Sequence, residues 1–418
     1  MTFPGGGPGG GFFEQVLRDL LKLMGGAPAG GAGSELARAL AQGVATGGAP
    51  EGNVDPVERM QFEQLANVAE LHVAELTGLA PSGGASGVVL LGPGAWATQT
   101  VDDWRFLLDA MSGPAEAGGE QPPRPPTPGL GLADLGDEAG ADTGTADLLA
   151  RWMATMGPMM AALQMGSAVG HLARATLGAY ELPVPRPQNR FIVVPTNVAR
   201  FATDWSLPPD EVRLWVCVRE LTTRAVLSRP HVAERLRELL LAVVAGMGEQ
   251  SAGMMERLQE LDMSDPEALQ NLVGDPTSLV SLEASPARRR ASDDLMAVVC
   301  ALLGYVEHVL DQAAVRLLGG HGAITEAWRR RLMDRDTAER AAEVMLGLDL
   351  GPAQIDRGSE FVRGVRERAG DEGLSRLWAA RSTLPTPAEL DAPGLWLERI
   401  SIADGPGEVD GGNESTPH

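Results

Sequence analysis

The chain has 418 residues, which leaves room for about two or three domains of ordinary size. Its formal net charge is −22 and its sequence pI is near 4.7, so its electrostatic field repels phosphate backbones and anionic lipid head groups and argues against a nucleic-acid partner. The only cysteines are Cys217 and Cys300, and this number excludes a disulfide framework or a cysteine-rich metal site.

The same sequence features bear on the cellular compartment. Both cysteines lie in apolar runs, which indicates reduced, buried thiols. The N-terminus lacks the basic segment that opens a signal peptide, and no stretch approaches the roughly 18 consecutive apolar residues of a membrane span. We therefore expect an acidic, cytoplasmic protein without a membrane span.

The N-terminal part of the chain combines Gly- and Pro-rich segments with helical patterns. Residues 1–11 are predicted to be disordered, because Gly and Pro provide no apolar surface to offset the entropy of ordering. Residues 12–112 form a predicted N-terminal helical region. Apolar side chains recur there at helical spacing, which predicts helices over 12–24, 34–42, 56–79 and 100–111.

Residues 113–145 have a different composition. They consist largely of Gly, Pro, Ala and acidic residues and contain no aromatic side chain. Such a segment is typical of a low-complexity linker or a disordered excursion. It either separates two domains or is an insertion within one, and the sequence leaves both alternatives open.

Helical patterns dominate residues 146–400. The best strand candidate is the apolar run 191–195, which ends at a proline, and residues 401–418 form an acidic, Gly-rich tail that we expect to be disordered. Long helices with at most a small β element predict a mainly α fold. Residues 146–180 are expected to form one long helix or a pair of helices with a kink at Gly157-Pro158. The other expected helices cover 197–203, 208–227, 231–247, 266–272, 292–318, 326–346, 354–369 and 372–379.

One of these helices resembles a known zinc-binding segment. It contains the run Arg219-Glu220-Leu221-Thr222-Thr223, and it resembles the zinc helix of the zincin-like metallopeptidases of high-GC bacteria. In that family an HExxH motif places two histidines one helical turn apart to bind zinc, and its glutamate activates the bound water. When the segment is aligned on Glu220, the two histidine positions are Arg219 and Thr223.

The resemblance extends over roughly residues 146–400 and implies a zincin-like helical core. A third zinc ligand in such proteins is an acidic residue on a later helix. The run Gly304-Tyr305-Val306 resembles the segment that follows this acid, so the third ligand position is Leu303. Further landmarks of the family occur in order at 166–172, 180–183, 195–198, 328–331, 347–350, 357–362 and 384–386.

All three ligand positions therefore lack a metal ligand. Arginine is a permanent cation without a free lone pair, a threonine hydroxyl is a poor zinc ligand, and leucine has no donor atom. The resemblance thus implies a pseudoenzyme without a zinc cofactor. Glu220 would be a vestigial general base, and the protein would bind, or act as a scaffold for, an unknown protein or small-molecule ligand.

The alternative is a zinc-dependent metallopeptidase or hydrolase that acts on peptides. Glu220 would then be the general base, and non-standard residues would hold the metal. The nearest cluster of possible ligands in the sequence is His308 with Glu307 and Asp311. Adjacent residues on a helix point about 100° apart, which disfavours joint coordination by Glu307 and His308.

Arg219 interrupts a largely apolar helix face. Because removing the partner of a buried charge costs about 3 to 5 kcal/mol, we expect a buried guanidinium to pair with a carboxylate, from a facing helix or from Glu220. The other possibility is that the side chain reaches solvent along its apolar stem. A vacated cleft lined by Trp152, Trp205 and Trp215 could also bind a ligand.

Overall fold

The structure is a computed structural model, and it describes residues 29–79, 87–112, 141–260, 285–317 and 321–403. Several sequence predictions lie outside the described residues. These are the disorder of residues 1–11, the helices at 12–24 and 266–272, most of the 113–145 linker, and the tail beyond residue 403.

The N-terminal region is helical, as predicted, with different bounds. Its second helix begins at Pro56, where Asp55 accepts a hydrogen bond from the Val57 N–H at 2.8 Å, and it ends at Gly78 in the left-handed conformation. The predicted helix 100–111 is in fact two helices. The helices are α1 (Ala29–Thr46), α2 (Pro56–Thr77), α3 (Pro93–Asp103) and α4 (Arg105–Met111).

Helix α3 begins before the predicted start at residue 100. Pro93 occupies the first turn of the helix, where its fixed φ is favourable and its missing N–H costs nothing. The carboxylate of Glu51 accepts hydrogen bonds from the N–H groups of Gly94 at 2.6 Å and Ala95 at 3.2 Å. A negative group at this end also complements the helix dipole.

Helix α5 (Ala141–Ala173) is a single long helix that contains Pro158. It begins inside the segment predicted as a linker and ends before the predicted end at residue 180. Two glycines allow α1 to approach it closely. A Cβ atom on Gly166 would lie 2.7 Å from the Ala37 carbonyl oxygen, and one on Gly170 would lie 2.9 Å from the Ala41 carbonyl oxygen.

The remaining helices confirm the mainly α class. Most begin at a proline. The predicted helix 326–346 is divided into two, and the last helix extends beyond the predicted domain end at residue 400. They are α6 (Pro195–Asp204), α7 (Pro209–Leu227), α8 (Pro230–Glu260), α9 (Pro286–Leu317), α10 (His321–Asp334), α11 (Ala341–Met345), α12 (Pro352–Ser375), α13 (Pro387–Asp391) and α14 (Pro393–Ala403).

The β structure among the described residues is a two-stranded parallel sheet. Strand β1 (Val89–Leu90) pairs with β2 (Ile192–Val193), and Gly178 forms an isolated bridge with Val193. The predicted strand 191–195 is shorter than expected because Pro195 begins α6. Strand β1 was not predicted, because two residues are too few to show an alternating pattern.

Helix α7 lies at the centre of the fold. It contacts α2, α6, α8, α9, α10 and β2, and every residue from Leu214 to Leu227 is buried. A helix surrounded on all sides must satisfy any polar side chain internally. One hydrophobic core runs from Leu36 to Ile400, so the described residues on both sides of the 113–145 segment share it.

Helix α9 is long and apolar enough by composition to cross a membrane, and it is the one such helix among the described residues. However, 67% of the 18-residue apolar stretch that meets this criterion is buried inside the protein. A buried core helix passes the same test of length and hydropathy, so this helix is weak evidence for a membrane span.

Candidate functional site

Arg219 and Glu220, which are neighbours on α7, form a buried ion pair. Arg219 Nη1 donates to Glu220 Oε1 at 2.7 Å, and the two side chains are 8% and 1% exposed. Of the two possibilities for Arg219, the structure therefore shows internal pairing, and the guanidinium does not extend to solvent. Its partner is Glu220 itself rather than a carboxylate from a facing helix.

A backbone loop closes over the other side of the Glu220 carboxylate. Glu220 Oε2 accepts a hydrogen bond from the Tyr180 N–H at 2.9 Å. A Cβ atom on Gly178 would lie 2.5 Å from Glu220 Cδ, so only glycine fits at this position without displacement. The Gly178 carbonyl accepts from Trp96 Nε1 at 2.9 Å and from Thr176 Oγ1 at 2.8 Å, which fixes the loop in place.

The Arg219 guanidinium also stacks on an aromatic ring. Its Cζ lies 4.5 Å from the ring centroid of Trp328, and Arg331 Cζ lies 4.9 Å from the same centroid. Trp215 packs against Trp328 with ring centroids 5.6 Å apart. A cation against an aromatic face is favourable, most of all when water is excluded. Trp328 therefore contacts two guanidinium groups.

The other two predicted ligand positions have structural roles. Thr223 is buried, and its Oγ1 donates to the Arg219 carbonyl one turn earlier at 3.0 Å. Leu303, on the neighbouring helix α9, is half-buried and packs against the hydrophobic core. The structure thus brings Arg219, Glu220 and Thr223 together, and Leu303 adds no polar group to them.

The residues present do not fit a zinc ion. Among the described residues there is no group of three or more His, Cys, Asp or Glu side chains that could hold a metal. Both oxygens of Glu220 already have partners. Zinc requires imidazole, thiolate or carboxylate donors with free lone pairs, and neither Arg219 nor Thr223 supplies one.

Within the cluster of Glu307, His308 and Asp311, Glu307 is engaged in other contacts. Glu307 accepts from Arg329 Nε at 3.1 Å and Nη2 at 2.6 Å through Oε1, and its other oxygen accepts from the Ser359 hydroxyl. Burial lowers the pKa of His308, with a further contribution from the Arg366 cation. Glu307 is therefore held by an arginine and a serine.

The three tryptophans proposed to line a cleft have different environments. Trp215 is buried in the core against Trp328, while Trp205 lines a cavity near the ion pair. The side chain of Trp152 lies outside the part of the chain whose side chains are described.

Sequence reasoning missed a second buried ion pair near the same loop. Arg186 Nη1 lies 2.7 Å from Asp103 Oδ2, and the two side chains are 2% and 9% exposed. Arg186 Nε also donates to the Ala179 carbonyl at 3.1 Å. In the sequence, Arg186 is only a charged residue near apolar runs. Such a pattern does not identify Asp103, 83 residues away, as its partner.

The pKa of Glu220 is raised above its ordinary value because burial disfavours the charged form, and the Arg219 cation opposes this shift. Between the pKa of the unfolded chain and the higher pKa of the folded protein, the folded protein therefore holds a proton that the unfolded chain has already released. Stability from this group is present at low pH and decreases as pH rises from the unfolded pKa through the folded one. Over this range, we expect the stability of wild type relative to Glu220→Gln to decrease, measured by urea unfolding.

Gln cannot titrate, so the comparison isolates the proton on Glu220. A stability difference between the two proteins that increases with pH would contradict a raised pKa in the folded state.

The family of zincin-like metallopeptidases matches this chain over residues 34–397, which is most of its length. The chain belongs to this family. The fold is similar to that in the crystal structure of a protein from Chloroflexus aurantiacus that has been proposed to be a hydrolase with a novel fold. That similarity has a TM-score of 0.60 and 20% sequence identity, and it covers 88% of this chain and 98% of the other. No curated protein matches the sequence.

Proposed function

We propose that this member of the zincin-like metallopeptidase family is non-catalytic and acts as a binding or scaffold protein. The observation that carries the proposal is the buried Arg219–Glu220 ion pair, which stands where the resemblance places a zinc ligand and the general base. The partner is an unknown protein or small molecule. The proposed location is the cytoplasm, consistent with two buried free cysteines among the described residues.

The chemistry of a zinc peptidase supports this proposal. Such an enzyme needs a metal with an open position for water and a carboxylate free to accept a proton from that water. Here Arg219 and the Tyr180 N–H occupy both oxygens of Glu220. The guanidinium provides a positive charge beside the carboxylate, and it cannot polarise water as a bound metal does.

A hydrolase is the second candidate, and one observation favours it. Burial raises the pKa of Glu220, and a raised carboxylate pKa is a common property of catalytic acids and bases. Under this alternative, Glu220 is the general base and residues other than Arg219, Thr223 and Leu303 hold zinc.

Metal content distinguishes the two candidates. We expect the purified protein, equilibrated with zinc and then desalted, to contain far less than one equivalent of zinc when measured by inductively coupled plasma mass spectrometry. One equivalent that is lost in Glu220→Gln or His308→Ala would overturn the proposal in favour of the hydrolase.

Restoring the ligands tests whether the alignment is correct. We expect the triple variant Arg219→His, Thr223→His and Leu303→Glu to gain zinc relative to wild type, because histidines four residues apart share one helix face. The matched control places histidines at Arg213 and Cys217, which have the same spacing on the same helix. A triple variant that folds and binds no more zinc than this control would contradict the assignment of the ligand positions.

A further inference from the structure

A polar cavity of about 430 Å³ lies beside the place where Arg219 and Arg331 stack on Trp328. Its walls come from the C-terminal end of α5, from α6, and from the end of α10 with the segment that follows it. Arg331 connects the two places, because it lines the cavity and also stacks on Trp328. Neither Arg219 nor Glu220 lines the cavity.

Arg331 is an incompletely neutralised cation in the wall of this cavity. Its Nη2 donates to the Ala175 carbonyl and lies 3.5 Å from Glu181 Oε1, a long contact for an ion pair. Its Nη1 is buried and has no hydrogen-bond partner in the described part of the chain. Burial lowers the pKa of Arg331, and Glu181 offsets only part of this effect. An additional anionic group would therefore be stabilised here.

Charges of both signs surround the cavity. Arg174 and Arg200 line it together with Arg331. Four carboxylates also line it, those of Asp204, Asp334, Asp336 and Glu339. The carboxylates disfavour a polyanion such as a nucleotide, and the three arginines disfavour a ligand that carries only positive charge. The balance favours a small molecule with one charge of each sign.

The size and the apolar surface of the cavity agree with such a ligand. A volume of this order is within the range of small-molecule sites. Phe201 and Trp205 provide aromatic surface beside the charged groups. Arg331 Cζ lies 5.6 Å from the ring centroid of Phe201, which places aromatic surface next to the cationic wall.

We propose that this cavity binds a small zwitterion, either a free amino acid or a dipeptide. Its carboxylate contacts the wall formed by Arg331, and its ammonium group lies at the acidic rim that includes Asp334. The aromatic surface of Trp205 and Phe201 contacts an apolar side chain.

Titration calorimetry with three matched probes tests this proposal. The probes are glycyl-phenylalanine, its N-acetyl derivative, which lacks the ammonium, and its C-terminal amide, which lacks the carboxylate. We expect the dipeptide to bind at millimolar concentration, and each derivative to bind at least about tenfold more weakly, equivalent to about 1.4 kcal/mol. The absence of measurable dipeptide binding to wild type would overturn the proposal.

Two variants test separately the contacts to the carboxylate and to the ammonium group of the ligand. We expect Arg331→Gln to weaken binding of the dipeptide and of the N-acetyl derivative. Asp334→Asn should weaken binding of the dipeptide and leave that of the N-acetyl derivative unchanged. Asp334 is exposed, so this second variant remains informative if Arg331→Gln does not fold.

The matched control is Arg330→Gln. Arg330 is adjacent to Arg331 on α10, but it forms an exposed ion pair with Glu326 and does not line the cavity. The Arg330→Gln variant should bind all three probes with the same affinity as wild type. Equal dipeptide affinity in Asp334→Asn and Arg330→Gln would show that the acidic rim does not bind the ammonium group and would contradict the proposal.

Discussion

Arg219→Met is expected to lower the free energy of unfolding by about 3 to 5 kcal/mol, because removing one member of a buried ion pair leaves the other charge without a partner. Methionine keeps most of the length of the side chain, so the change isolates the loss of charge. The carboxylate left behind is that of Glu220, which is 1% exposed. Urea unfolding at neutral pH measures the difference.

An ion pair on the same helix whose carboxylate is exposed provides the control. Arg213 pairs with Asp210 at 2.7 Å, and the Asp210 side chain is 85% exposed, so Arg213→Met should cost less than about 1 kcal/mol. The double variant Arg219→Met/Glu220→Gln should recover much of the loss, because a neutral glutamine can still accept from the Tyr180 N–H. A loss below about 0.5 kcal/mol in Arg219→Met, the usual size for a surface change, would contradict an internal pair.

Gly178→Ala is expected to destabilise the protein by about 1 to 3 kcal/mol, because the added methyl group must displace the buried carboxylate of Glu220. The Cβ atom would lie 2.5 Å from Glu220 Cδ, closer than packed atoms approach one another. The displacement should also weaken the hydrogen bond from Tyr180 N–H. Urea unfolding measures the loss, and amide hydrogen exchange at Tyr180 reports the local effect.

Gly87→Ala is the matched control, since a Cβ atom on that glycine would meet no atom of the described residues within 4 Å. It should change stability by less than about 0.5 kcal/mol. Combining Gly178→Ala with Glu220→Ala should give a smaller loss of stability than the sum of the two single changes. The alanine at position 220 no longer occupies the space that the new methyl group at position 178 needs. Strict additivity would indicate that Gly178 and Glu220 do not contact each other.

The sequence predicted the helix that carries the candidate site. It also indicated which residues on that helix are of interest, namely Arg219, Glu220 and Thr223. Helix α7 was predicted over 208–227 and extends over Pro209–Leu227, because its proline start and apolar pattern are local signals. The pairing of Arg219 with Glu220 was one of the expected alternatives. It could be anticipated because a buried cation needs a carboxylate, and one is adjacent in sequence.

The contacts from the rest of the chain could not be predicted in the same way. Glu220 receives a hydrogen bond from the backbone of Tyr180, 40 residues earlier, and a backbone donor has no residue signature. Gly178 showed no pattern that would indicate a glycine packed against a carboxylate. Trp328 was part of a family landmark, but its contacts with two arginines depend on how α10 packs on α7.

The closed loop over Glu220 has an evolutionary consequence. A first step toward a metal site, such as histidine at position 219, would remove the partner of a buried carboxylate and a cation from the face of Trp328. A histidine at position 223 would remove the hydroxyl bonded to the Arg219 carbonyl. Each single step would cost stability before any metal could bind, so a metal centre could form at these positions only through several simultaneous changes.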